Sequence, residues 1–315
     1  MRTIILGTLF LIALVIFVLT ATPAGQVTLR FFQTLKGESP SSSYLPPEKV
    51  QLSANPFGVA LGAKNLDFVA KAEVVSGMGV SYYKPTPILM QSWRGFCVEC
   101  EDALSEGLKM VVTIQAKGKR EEVSGPPSDY EDFKKSVTEL IEKYKPALVV
   151  VEDEEHSSNK FGGSSDEYLT ELRIACSIAH EKGTKCTNGG INGDLVISPE
   201  TEEARKAKNL LSQYRTSGAD FVNFHFSSKG AEQLSEVVNF AQDSANLRAV
   251  TDRIGANSDD PEAVRELMQK IVDLHLPIAI WESRDVSGIT RGLTDDSGKL
   301  RPTGEAFKNF LAERY

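Results

Sequence analysis

The chain has no surplus of positive charge. Its 35 Lys and Arg stand against 43 Asp and Glu, a net charge of −8. A nucleic-acid partner needs a basic face to meet its phosphates, so that class of function is excluded and neutral or cationic ligands fit better. Histidine is scarce: four residues and no His-x-His pair argue against a paired-histidine metallohydrolase. No G-x-G-x-x-G follows the first candidate strand, so the dinucleotide fingerprint is missing. The four cysteines all lie well beyond the N-terminal apolar run, which leaves a lipid-modified cysteine unsupported.

That apolar run is the first positive feature. After Arg2, residues Thr3 to Ala21 form 19 uncharged positions rich in Leu, Ile, Val and Phe. The length is close to the ~20 residues that span a bilayer, and the segment reads as a signal peptide or an uncleaved anchor over residues 1–24. Thr22-Pro23-Ala24 is a mediocre cleavage site. Residues 25–54 hold Pro40, Ser41, Ser42, Ser43, Pro46 and Pro47 and read as a linker. The folded part, residues 55–315, is therefore expected outside the cytoplasm: extracellular, periplasmic or membrane-anchored, with any membrane contact made through the N-terminal segment. Export permits disulfides. Pairing Cys97 with Cys100 and Cys176 with Cys186 is compatible with the pattern, and zinc is disfavoured because no second ligand pair adjoins Cys97-x-x-Cys100.

Hydrophobic content of 41% and charged content of 25% suit an ordinary globular domain. Strand-like runs begin near Phe57, Met78, Lys109, Ala147, Thr184, Ala219, Leu247 and Leu276. Amphipathic helical patterns lie between them: 129–144, 165–182, 199–217, 231–245 and 261–274. Eight alternating units in about 260 residues predict an α/β fold, a (β/α)8 TIM barrel. An open doubly wound sheet is the competitor.

Residues 147–156, Ala-Leu-Val-Val-Val-Glu-Asp-Glu-Glu-His, hold the most information. The apolar run predicts a strand buried on both faces. Its acids cannot follow it inward without a desolvation cost, so they mark its exit. In barrels that edge carries the chemistry. The other exits supply Tyr83 and Lys84, Gln115, Asn188 and Asn192, His225, Asp252 and Arg253, and Trp281, Glu282, Arg284 and Asp285. Acids and amides can bind sugar hydroxyls, aromatic faces can stack on pyranose rings, and two opposed carboxylates suit glycoside hydrolysis.

Val151-Glu152-Asp153-Glu154 resembles the strand-four V-E-N-E signature of clan A glycoside hydrolases, retaining (β/α)8 enzymes. The stretch Gly292-Leu293-Thr294-Asp295-Asp296-Ser297-Gly298-Lys299-Leu300-Arg301-Pro302, after Trp281, resembles the clan's C-terminal run. The resemblance implies that Glu154 is the acid/base, that Asp153 stands where an Asn binds the sugar 2-hydroxyl, and that Trp281 lines the sugar site. His225-Phe226 matches half of a strand-six His-x-Tyr. The clan's T-E-x-G nucleophile motif is altered here to Thr251-Asp252-Arg253-Ile254-Gly255, with Asp252 the nearest carboxylate and the glycine one place late. Glu282 is the alternative nucleophile.

The leading expectation is an exported hydrolase of a β-linked oligo- or polysaccharide, without a cofactor or metal. Its catalytic set is Glu154, Asp252 and Glu282, and its substrate set is Tyr83, Asp153, Asn188, His225 and Trp281. A lapsed barrel that binds carbohydrate is the second reading. A metal-dependent sugar isomerase is the third, using Glu154, His225 and Glu282 with Asn188 or Asp252 as ligands.

Overall fold

The computed structural model describes residues 50–117, 123–197, 201–228, 230–285 and 292–315. The N-terminal segment 1–24 and most of the linker lie outside them. Among the described residues no helix is long and apolar enough to cross a membrane.

The strands are β1 (Phe57–Ala60), β2 (Tyr82–Tyr83), β3 (Ile88–Leu89), β4 (Lys109–Gln115), β5 (Leu148–Val151), β6 (Lys185–Asn188), β7 (Ile191–Asn192), β8 (Phe221–Ser228), β9 (Arg248–Ala256) and β10 (Ala279–Glu282). Pairing runs β2-β1-β10-β9-β8-β6-β5-β4, and β2 also pairs β4, so eight parallel strands close on themselves. The short β3 and β7 extend β4 and β8. This is the expected (β/α)8 barrel; each strand begins within a few residues of where the sequence places it.

The helices are α1 (Phe68–Gly77), α2 (Val98–Ser105), α3 (Tyr130–Tyr144), α4 (Ser165–Glu181), α5 (Gly193–Ile197), α6 (Glu202–Tyr214), α7 (Ala231–Ala245), α8 (Pro261–Asp273) and α9 (Pro302–Arg314). Their starts follow local chemistry. Asp129 caps α3, Ser164 and Glu167 form a capping box on α4, and Asp260 precedes Pro261 at the first turn of α8, each satisfying amides the helix leaves unpaired.

Strand periodicity divides the core in two. Tyr82, Val111, Leu148, Val150, Phe221, Val250, Ile278 and Ile280 fill the barrel, while the alternate residues pack outward under the helices. Full burial of each aliphatic side chain contributes about 1.5–3 kcal/mol. Val50 and Leu52 pack against the inner cluster, and Ser53 N–H donates to the Tyr82 hydroxyl. Residues 50–54, read from sequence as the end of the linker, thus belong to the barrel. The disulfides are Cys97–Cys100 and Cys176–Cys186.

Candidate active site at the barrel mouth

Two backbone irregularities build the site. The first is at the exit of β5, where Glu152 and Glu154 adopt φ of 71° and 47°. Left-handed conformations in non-glycine residues are costly and concentrate at functional sites. The effect here is to hold Asp153 and Glu154 at the mouth while Glu152 and Glu155 turn into the protein, both 0% exposed. The second is in β9. Asn223 pairs with Val250 and His225 with Arg253, so β9 holds one residue more than β8 across the same span. The β10 register shifts at the same place. A bulge of this kind lets two successive side chains face one side, and both Asp252 and Arg253 turn to the mouth.

Asp252 is buried and fully engaged. Lys84 Nζ lies 2.5 Å from its Oδ2. Asn223 Nδ2 donates to Oδ1 at 2.7 Å, and His225 Nε2 is 2.9 Å from the same oxygen. Burial opposes its charge, but Lys84, His225 and Arg253 overcome that and hold the carboxyl well below its usual range. Asp252 is a buried counter-ion, its oxygens met by Lys84, Asn223 and His225 and, at 3.4 Å, by the Thr113 hydroxyl.

His225 bridges two acids, with Nδ1 3.0 Å from Glu154 Oε1 and Nε2 on Asp252. Burial and nearby Arg253 favour the neutral ring, yet the bonds to Asp252 and Glu154 prevail and its pKa is raised. An imidazolium can donate from both nitrogens at once. Gly190 leaves room for it. Its φ is 99°, and a Cβ there would stand 2.1 Å from His225 Nε2. Gly190→Ala should cost about 1–3 kcal/mol in backbone strain and displace the ring. A thermal melt together with loss of the shifted His225 signal in an NMR titration would check this.

Arg253 occupies the open centre. Nη2 donates to Asp153 Oδ1 at 2.8 Å, Nη1 to Glu154 Oε1 at 3.1 Å, and Nε lies 3.7 Å from Glu282 Oε1. Burial raises the Asp153 pKa, but Arg253, His225, Lys160 and Lys84 lower it further, to about 2. Glu154 follows the same logic: burial opposes ionisation, and the His225 bond and charge together with Arg253 shift it below its ordinary value. Counted back from Gly255, an E-x-G motif places its carboxylate at position 253, where this chain has a guanidinium.

Glu154, Asp153, His225, Asp252 and Glu282 therefore meet as the sequence reading expected. Three other residues do not join them. Trp281 is 0% exposed and packs edge-on against Phe307 of α9, because period-2 alternation turns Ile280 and Glu282 inward and Trp281 outward. Tyr83 is 1% exposed and packs in the same outer layer, while its neighbour Lys84 points in. Asn188 is 0% exposed. It stitches β6 to β8, its Oδ1 accepting from Asn223 N at 2.7 Å and its Nδ2 donating to Asn223 O at 3.0 Å. These positions correct the substrate roles assigned to Tyr83, Asn188 and Trp281. Lys84 and Arg253 stood among the strand-exit residues read from the sequence, but no role was assigned to them there. The late glycine of Thr251–Gly255 was the available signal.

Asp153, Glu154 and His225 offer ligand atoms within 4.8 Å of one another, a spacing compatible with a cation. The Arg253 guanidinium lies against both Asp153 and Glu154, and Lys160 lies 3.5 Å from Asp153; a metal would have to displace the guanidinium and a proton of His225. Asn188 and Asp252, the further ligands of the isomerase reading, are committed elsewhere.

No family model matches the chain, and no curated protein matches it in sequence. In fold it is similar to a glucosidase from Croceicoccus marinus (TM-score 0.64, 12% identity, 85% of this chain and 69% of that one). It is also similar to a GH128 subgroup II endo-β-1,3-glucanase from Sorangium cellulosum (TM-score 0.58, 14% identity, 80% and 97%). A third similar structure is a GH128 subgroup VII oligosaccharide-binding protein from Trichoderma gamsii (TM-score 0.56, 13% identity, 85% and 97%). The chain shares the (β/α)8 barrel fold of these three structures.

Proposed function

We propose that the mouth binds a β-1,3-linked glucan and that the chain holds this glycan without cleaving it by the retaining route. Arg253 is the observation that carries the reading. It stands at the E-x-G position of the nucleophile, 3.1 Å from Glu154. Retaining hydrolysis needs one carboxylate to attack and one carboxylic acid to donate a proton. Here a cation replaces the first and, with His225, keeps the second ionised, which removes its value as an acid. The acids Asp153, Glu154 and Glu282 remain as acceptors for sugar hydroxyls. The substrate class is supported by the names of the similar folds, several of them β-1,3-glucanases and one an oligosaccharide-binding protein. Work outside the cytoplasm is part of the proposal, supported by the apolar run 3–21 and by two disulfides.

Calorimetry with laminarihexaose, run beside an assay for new reducing ends, tests this. We expect saturable binding, no reducing ends, and roughly tenfold weaker binding in Asp153→Ala, or ~1.4 kcal/mol. Failure to bind any laminari-oligosaccharide would remove the substrate class.

A second reading, hydrolysis by Glu154 with Glu282, is favoured by both acids flanking Arg253 at the partly open mouth (side-chain exposure 19% and 13%). Reducing ends from the wild type that vanish in Glu154→Gln and Glu282→Gln would establish it and overturn the first.

A further inference from the structure

We infer that Cys97 and Cys100 form a thiol–disulfide exchange site, separate from the barrel mouth, that takes small thiols and cysteine-bearing polypeptide segments. The inference is independent of the glycan reading.

The two disulfides differ in exposure and in the length of chain they close. Cys176–Cys186 joins α4 to β6 across a sequence separation of 10, and its residues are 1% and 0% exposed. It closes a substantial loop and offers no sulfur to an incoming thiol. Cys97–Cys100 spans a separation of 3, where little chain entropy is left to remove. Helix α2 already fixes that turn: Cys97 is its N-cap residue, and the Cys97 amide donates to the Tyr144 hydroxyl at 2.7 Å. As a staple the bond is nearly redundant.

As a reactive group it is well placed. Cys97 is partly exposed at the edge of the core and Cys100 is 0% exposed, so Cys97 is the member of the pair that an attacking thiolate would approach. The Cys100 amide donates to Cys97 Sγ at 3.2 Å, and a helix N-terminus stabilises a thiolate released there. Of the acids nearby, Glu101 is paired with Lys143 and Tyr144, Glu99 accepts from the Thr86 amide and hydroxyl, and one Asp102 oxygen is buried without a hydrogen-bond partner. Phe96 and Val98 flank the partly exposed Cys97 at 60% and 44% exposure, an apolar surround for a peptide carrying the reacting cysteine.

The exchange balances as follows. A thiolate RS⁻ attacks Cys97 Sγ and forms a mixed disulfide, and Cys100 leaves as a thiolate and takes a proton. A second RS⁻ attacks the R sulfur, forming RS–SR and releasing the Cys97 thiolate. Two thiols are oxidised, the protein disulfide is reduced to a dithiol, and a low-molecular-weight disulfide such as oxidised glutathione runs the steps in reverse.

The wild-type protein is equilibrated in glutathione buffers of graded ratio, alkylated and mapped by mass spectrometry. The expected result is reversible reduction of Cys97–Cys100 under conditions that leave Cys176–Cys186 intact. In Cys100→Ser, Cys97 should react with oxidised glutathione at neutral pH roughly tenfold faster than free cysteine. In Cys97→Ser, Cys100 should resist alkylation until the protein is unfolded. Phe96→Ser should slow reduction by a cysteine-containing peptide and leave reduction by glutathione unchanged. Equal resistance of both wild-type disulfides, or a Cys97 thiol no faster than free cysteine, would overturn the proposal. Equal rates of peptide and glutathione reduction across the Phe96 variant would remove polypeptides as substrates.

Discussion

Replacing Lys84 with Met should destabilise the protein by about 3–5 kcal/mol, the range found when one partner of a buried ion pair is removed. Lys84 Nζ donates to both the carboxylate and the backbone carbonyl of Asp252, at 2.5 and 3.0 Å. Both side chains are at most 7% exposed. A methionine fills the space of the stem but leaves a buried carboxylate facing an apolar tip, with His225, Asn223, Arg253 and the more distant Thr113 hydroxyl to compensate. For a domain of this size a loss of about 3–5 kcal/mol lowers the melting temperature by roughly 10 °C. The pH dependence identifies the cause. The Asp252 pKa is held well below its ordinary 3.8, so its contribution is present above that ordinary value and fades as pH falls toward the folded one. The deficit of Lys84→Met should therefore be full at neutral pH and shrink below about pH 4. Adding Asp252→Asn should recover part of it. Chemical denaturation of the three proteins measures this; a deficit under about 1 kcal/mol, or one that ignores pH, would show the pair to be a weak contact.

The same pair explains where the sequence was legible. Eight strand starts and five helices could be read from alternation and capping, because each depends on neighbours within a few residues. Acids at the end of a wholly apolar strand located the mouth for the same reason. Side-chain direction was harder. Lys84 and Glu282 point in while Tyr83 and Trp281 point out, and a one-residue step decides the matter. The aromatic residues looked suited to sugar, but they pack beneath the outer helices. The bulge in β9 was least legible, because an extra residue in a strand has no composition of its own. Its trace was the displaced glycine of Thr251–Gly255, which moves the motif's carboxylate position from Asp252 to Arg253. Asn188 failed for a different reason: its partner Asn223 is 35 residues away, beyond any local pattern. The site is thus an acidic mouth, as read, organised around two cations that were not given a role.

Raising the pH through neutrality should destabilise the fold, and Glu171→Gln should remove most of that effect. Glu152, at the exit of β5, and Glu171, on α4, are both 0% exposed and interact directly. Both Glu171 oxygens and Oε2 of Glu152 lack a conventional hydrogen-bond partner. Burial drives the Glu152 pKa up to about 7, and burial with the neighbouring Glu152 charge drives Glu171 well above the carboxylate range. The folded state therefore binds more protons than the unfolded one above the ordinary value of 4.5. Stability should fall as pH rises from there through about 7 and beyond. A glutamine at 171 keeps the shape, removes one charge and offers an amide N–H to Glu152. We expect Glu171→Gln to match the wild type near pH 5 and to exceed it by a margin that grows toward pH 9, because one buried carboxyl no longer has to ionise. Melting curves from pH 5 to 9 give the comparison. Parallel slopes for the two proteins would place the alkaline loss elsewhere. Glu152 Oε1 also accepts the Ala116 amide at 2.8 Å, joining the exits of β4 and β5 beside Asp153 and Glu154.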